Sequence, residues 1–351
     1  MLGGAELLVR ALGRYNTPDT LRAHSLHYLP SIFGRHRLAP DQEVAVDEAW
    51  GLRSGQAPSG RTFRINAQGY RGAAVAIPKP PGEVRIVVLG GSSVFDLYAT
   101  EGQDWPHLVQ ERLAAPGRRV VVVNAGVPGH ASFDSLARLY AQLWTFDPDF
   151  VLVYHAWNDI KYFAELSATS PLIGLYKPHD PSADPFQNYR GTADWLLSSS
   201  QLYVKARTRY LLRQYRPGLE GAARGNVGRG SYGPMGLEQY RLVTELLVAG
   251  TRAIGAVPVL LTEAYLLTPE TYRQARTLVA LSQDELVRAF ADCAETLRAV
   301  ARDEQVPLLD LAAILNGRAD LFADHVHTTA AGSAVLAEAV ATFLAPRLPP
   351  P

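Results

Sequence analysis

Cysteine is almost absent. The 351-residue chain has one, Cys293, so no internal disulfide can form and a structural zinc site built on several thiolates is excluded. Its surroundings, VRAFADCAETL, have helical spacing, and a small apolar core position is the reading there. Net charge is absent too. Lys and Arg number 34 and Asp and Glu number 34, which argues against a whole-chain polyanion binder such as a nucleic-acid protein. No apolar run is long enough to span a bilayer. The opening MLGGAELLVRALGRY is apolar in pattern but too short and too charged for a signal peptide. Two readings stay open: a cytoplasmic protein, taken as the default, or one whose export or anchoring segment is absent from this chain. There are no repeats, no low-complexity tract, no G-K-[ST] phosphate loop and no H-E-x-x-H.

Hydrophobic residues make up 47% of the chain, enough for a sizeable core. Residues 1–80 show little regular pattern and end in AIPKPPGE, a proline stop. They read as an extension packed on a main domain of residues 81–351. From Val84 the rhythm changes. VRIVVL, RRVVVVNAG, FVLVYHAWND, VPVLLTEA and VPLLDL are short apolar runs of the kind that make strands covered on both faces. Between them lie helical patterns, including WPHLVQERLAA, SFDSLARLYAQLWTF and the long SQDELVRAFADCAETLRAVARDE. The alternation predicts a three-layer α/β/α sandwich on a mostly parallel five-stranded sheet. It is interrupted once, by an insertion at 160–235 with its own helix candidate, SQLYVKARTRYLLRQY.

The first three strands each end in a polar cluster: Gly90-Gly91-Ser92-Ser93, then Asn124 to His130, then Asn158-Asp159. A fourth, Asp324-His325-Val326-His327, precedes the final helix. Ligands of open α/β sheets bind beyond the carboxyl ends of the strands, and four such clusters at one edge are hard to explain by packing. A serine at a tight strand-to-helix turn holds its hydroxyl out at that edge, with glycines clearing the approach. It needs a base, for which His327 is the candidate, and a carboxylate to orient that base, for which Asp324 is the candidate. A tetrahedral intermediate needs oxyanion donors. The Gly129 N–H and the Asn158 amide are the candidates, with the Ser92 N–H as a third. Ser93 rivals Ser92, and His325 rivals His327, although its place directly after Asp324 orients an imidazole poorly. Asp159 reads as structural. His130 and His155 read as strand-end histidines that could instead line a pocket.

In these clusters the sequence resembles the SGNH hydrolases, also called GDSL-type esterases. Gly90-Gly91-Ser92 matches their first block, Asn124 to Gly129 the N-x-x-x-x-G second block, Ala156-Trp157-Asn158-Asp159 the G-x-N-D third, and Asp324 to His327 the D-x-x-H last. The likeness extends over residues 62–345 and includes the lead-in FRINAQGYRG. Two positions depart from the pattern: Ala156 stands for a glycine, and Thr328 for the proline that often follows the histidine. The resemblance favours Ser92 over Ser93. It implies a flavodoxin-like sheet and a serine ester hydrolase acting on small-molecule, lipid or carbohydrate esters, or less often an acyltransferase with the same triad. A non-catalytic binding protein on that fold is disfavoured by the complete set of nucleophile, base, orienter and donor. No cofactor or metal is expected.

Two further segments carry weaker signals. Gly228-Arg229-Gly230-Ser231-Tyr232-Gly233 fits G-x-G-x-x-G but follows no strand, so it reads as a loop. His24 and His27 lack further ligand-type neighbours and read as a surface pair. Residues 201–229 hold seven Lys or Arg against Glu220 alone, interleaved with Tyr and Leu. On a helix this is either a solvated basic face or a cap that shapes the acyl pocket and meets anionic substrates or membranes.

Overall fold

The computed structural model describes residues 2–11, 28–31, 36–45, 62–163, 234–276, 279 and 281–349, with positions 197, 200, 202, 203 and 206. Apart from those positions, the cap-like part of the insertion, the basic segment 201–229 and the helix candidate within it lie outside the described residues, as do the G-x-G-x-x-G stretch and the His24/His27 pair.

Leu2–Ala11 is a helix, α1. Two antiparallel ribbons follow, β1 (Tyr28–Pro30) with β2 (His36–Leu38), and β3 (Gln42–Ala45) with β4 (Thr62–Ile65). The stretch that reads as unpatterned therefore carries strands. They are too short to impose a period on a sequence window, although β4 does alternate, burying Phe63 and Ile65. These side chains and Val44 pack on Phe95, Leu97 and Val127. In the lead-in turn, Asn66 Oδ1 accepts the N–H groups of Gln68 and Tyr70. The turn delivers Arg71, whose buried guanidinium donates to the carbonyls of Phe95, Asp96, Ala99 and Thr100. One arginine thus clamps the chain that leaves the first polar cluster.

From Glu83 strands and helices alternate. In order they are β5 (Glu83–Gly90), α2 (Ser92–Phe95), α3 (Trp105–Leu113), β6 (Arg119–Gly126), α4 (Ser132–Ala141), β7 (Phe150–Tyr154) and α5 (Trp157–Phe163). After the insertion come α6 (Pro234–Ala253), β8 (Val257–Leu261), α7 (Pro269–Ala275), α8 (Gln283–Asp303), β9 (Leu308–Leu309), α9 (Leu311–Leu315) and α10 (Ala330–Leu344). The helix read at 132–146 stops at Ala141 and resumes as a 3-10 turn, Leu143–Phe146.

The five strands β5 to β9 form one sheet, every pair parallel, in the order β6-β5-β7-β8-β9. This is the flavodoxin-like order. Both faces are covered, which is why β5 reads as an unbroken apolar run. Val87 and Leu89 join the core under α4, α6 and α8, where Cys293 also lies. Ile86 and Val88 point the other way, into the core under α3, α9 and α10. Among the described residues no helix is long and apolar enough to cross a membrane. The strand order reverses between β5 and β7, whose ends pair Gly90 with Tyr154. A crevice is expected past that point, and the polar clusters meet there.

Candidate active site

The β5 strand turns into α2 over Gly91. A Cβ on Gly91 would collide with the Asn158 amide and the His130 carbonyl. Glycine therefore lets the Ser92 turn, the third cluster and the second cluster close on one point. Ser92 is the first residue of α2 and is buried. Its N–H has no acceptor within the helix, as at any helix start. Its Oγ lies 2.8 Å from His327 Nε2. Ser93 turns away. Its hydroxyl donates to Glu263 Oε1 at 2.6 Å, and its carbonyl accepts the Trp105 indole N–H.

His327 Nδ1 lies 2.6 Å from Asp324 Oδ2. A carboxylate accepts, so Nδ1 carries the hydrogen and Nε2 is left to accept from Ser92. The other carboxylate oxygen, Oδ1, accepts the backbone N–H of Val326 and of His327, both at 2.9 Å. The D-x-x-H spacing thus folds into a turn in which the aspartate grips both the ring and the backbone of its histidine. Burial alone would raise the Asp324 carboxyl. The charge and hydrogen bond of His327, with His325 and the Val326 N–H, outweigh it and hold the group well below the usual carboxylate range. Tyr98 O–H also donates to Oδ2, at 3.1 Å, and its ring stands edge-on to His327. Burial, then Asp324 beside it, pushes the Tyr98 hydroxyl up.

His325 Nδ1 lies 3.7 Å from Asp324 Oδ1, beyond hydrogen-bond reach. Its ring meets the Trp157 indole edge-on at 4.2 Å, and burial pushes it down to about 3. Neither of its ring nitrogens has a hydrogen-bond partner among the described residues.

Asn158 stands on α5 and is buried. One amide N–H donates to the His130 carbonyl at 2.8 Å, and Oδ1 accepts from Lys161 Nζ at 2.8 Å. The second amide N–H has no partner among the described residues, beside Gly91 at the foot of Ser92. Gly129 has φ of +83°, a left-handed conformation that a side chain would strain. The loop around it is held from both sides by His36 of β2. His36 Nε2–H donates to the Pro128 carbonyl at 2.9 Å, and His130 Nε2–H donates to the His36 carbonyl at 2.8 Å. Asp159 accepts both the N–H and the O–H of Ser132, joining the third cluster to the start of α4. Burial raises its carboxyl to about 7. His155 is a core histidine bonded to Ser135 Oγ, pushed down by burial to about 3.

Four residues near this centre escape a reading of the sequence by motif: His36, Tyr98, Lys161 and Glu263. Only Lys161 leaves a signal, since its spacing from Asn158 puts both on one helix face. Among the described residues, no three His, Cys, Asp or Glu side chains gather in a way that could hold a metal ion.

Ser92, His327 and Asp324 form one hydrogen-bonded chain, and Asn158 lies at its foot. Such an arrangement can generate an alkoxide equivalent and receive negative charge beside it. No curated protein matches the sequence. Among solved structures, a lipase/acylhydrolase from Enterococcus faecalis is 18% identical, with 76% of this chain and 98% of that one covered and a TM-score of 0.46. An aryl esterase from M. smegmatis is 14% identical, with 76% and 100% covered and a TM-score of 0.45. An acetylxylan esterase from Geobacillus stearothermophilus, solved as a catalytic mutant, is 16% identical, with 74% and 94% covered and a TM-score of 0.42. The model of the GDSL-like Lipase/Acylhydrolase family matches residues 88–335, well over half of the chain, and the protein belongs to that family of hydrolases.

Proposed function

We propose that the protein cleaves carboxylic esters through an acyl-enzyme formed on Ser92. His327 Nε2 takes the Ser92 proton as Oγ attacks the ester carbonyl. The carbonyl π pair moves onto oxygen, and the Asn158 amide with the Ser92 and Gly129 N–H groups receives that oxyanion. Asp324 holds the ring in the tautomer that accepts and stabilises the imidazolium that results. The intermediate collapses, the C–O bond to the alcohol breaks, and His327 returns the proton to the leaving oxygen. Water then repeats the sequence on the acyl-enzyme and releases the acid. The observation that carries this reading is the unbroken chain from Ser92 Oγ through His327 to Asp324, at 2.8 and 2.6 Å.

Intact-mass measurement after a fluorophosphonate tests it. One adduct is expected on the native protein and none on Ser92→Ala. That variant should also lose about a million-fold in kcat while keeping its circular dichroism, since triad members act as a unit. A native protein that takes no label and turns over no p-nitrophenyl ester, or a Ser92→Ala protein that keeps both properties, overturns the proposal.

A further inference from the structure

The fourth strand carries a site residue as well. Beyond β8 the chain runs Thr262-Glu263, and Glu263 is buried at the same sheet edge as the other clusters. Its two carboxylate oxygens go to two different turns. Oε1 accepts the Ser93 hydroxyl at 2.6 Å, and Oε2 accepts the Trp157 backbone N–H at 2.7 Å. Ser93 adjoins Ser92, and Trp157 adjoins Asn158. One carboxylate therefore spans the turn that carries the nucleophile and the turn that carries the amide donor, and fixes the distance between them.

We infer that Glu263 is a positioning residue that sets the Ser92 turn against the Asn158 turn for the tetrahedral state. The inference rests on the proposed roles of Ser92 and Asn158. Its physical basis is that a carboxyl is a poor choice for this place on packing grounds alone. Burial pushes its pKa up, against the Ser93 hydroxyl, the Trp157 and Ala156 N–H groups and the nearby His327. An apolar side chain would fill the volume without that conflict, but it could not accept from both turns. Nor do the two turns touch Glu263 loosely, since both hydrogen bonds are at the short end of the ordinary range. A sub-ångström error between nucleophile and oxyanion donor is felt in the rate rather than in substrate binding.

Three variants test this: Glu263→Gln, which keeps the shape and one acceptor, Glu263→Ala, and Ser93→Ala, which removes one arm. Each is measured as kcat per fluorophosphonate-titrated site, as KM, and as Ki for a trifluoromethyl ketone that forms a tetrahedral adduct. Glu263→Ala should lose about a hundred-fold in kcat with KM nearly unchanged, the lower end of the cost of one lost oxyanion donor. Ki should rise in parallel. Glu263→Gln should recover about ten-fold of that loss, and the Ser93→Ala and Glu263→Gln effects should be non-additive because they share one hydrogen bond. If Glu263→Ala does not fold, Glu263→Gln and Ser93→Ala still decide. Variants that lose thermal stability but keep the native kcat per site and the native Ki make Glu263 a structural residue and overturn the inference. A native protein that takes no label would instead overturn the proposed function.

Discussion

Lys161 Nζ donates to Asn158 Oδ1 across 2.8 Å, three residues along the same helix. An amide that accepts on its oxygen and donates from its nitrogen to the His130 carbonyl cannot flip without losing both bonds. The ammonium thereby settles which end of Asn158 faces Gly91 and Ser92. Lys161→Met should lower kcat about ten-fold with little change in KM, less than the hundred- to thousand-fold expected for Asn158→Ala. Steady-state kinetics on a p-nitrophenyl ester checks both. An effect of Lys161→Met confined to KM would place the lysine in ground-state binding instead.

His36 reaches the second cluster from outside the main sheet. It holds Pro128 through its ring and His130 through its backbone, with Gly129 between them. His36→Ala should leave the sheet intact and loosen this loop. Amide hydrogen exchange of Val127, Gly129, His130 and Ala131 should quicken, and kcat should fall about three- to ten-fold, the scale of a slightly misplaced donor. Unchanged exchange in the variant would show that the loop holds its shape without the clasp.

Stability should stay nearly level from about pH 4 to 6, where two buried aspartates oppose two buried histidines, and fall from about 6 to 7 as Asp159 ionises. Burial, the largest influence on each, lifts Asp96 from 3.8 to about 6 and Asp159 from 3.8 to about 7. In that window the folded protein holds protons that the unfolded chain has released. The stabilisation is complete below the unfolded value and is lost as pH rises through the folded one. His155 and His325 act in the opposite sense between about 3 and 6.5, because burial holds each at about 3 while the unfolded chain still binds those protons, so they offset the aspartates below about 6; the depressed Asp324 acts in that sense only below about 4. Scanning calorimetry across pH 5 to 8 should give a Tm that falls mainly between about 6 and 7, and Asp159→Asn should remove that fall. A Tm that climbs between about pH 6.5 and 7.5 would contradict the burial of Asp159 as a carboxyl.

Much of the fold was legible because a parallel sheet covered on both faces leaves continuous apolar runs. Ile86 and Val88 serve one core and Val87 and Leu89 the other, so no position in β5 needed to be polar. β9 was harder. VPLLDL suggested a full strand, yet only Leu308 and Leu309 pair, at the edge of the sheet and half-buried. The ribbons β1 to β4 fell below the length at which alternation becomes a signal. Around the site, residues that announce themselves by local chemistry were visible: Ser92 after two glycines, and His327 at the end of a short acidic motif. Glu263 was not, since its partners Ser93 and Trp157 lie 170 and 106 positions away. A single acid after a strand looks like any loop residue until the sheet order places β8 beside β7. His36 and Tyr98 were hidden for the same reason, being ordinary residues given meaning by distant neighbours.

The Ser92–His327 hydrogen bond joins positions 235 residues apart. On the proposed reading, this separation dictates timing during biosynthesis. The nucleophile emerges from the ribosome early and remains an ordinary serine while four of the five central strands are still being made. Its base arrives only with the turn before α10. Nascent chains are therefore chemically inert toward esters, and reactivity appears in one late step. In refolding, the return of fluorophosphonate labelling should lag the return of helical signal, because the longest loop closure in the site is also the one that arms it.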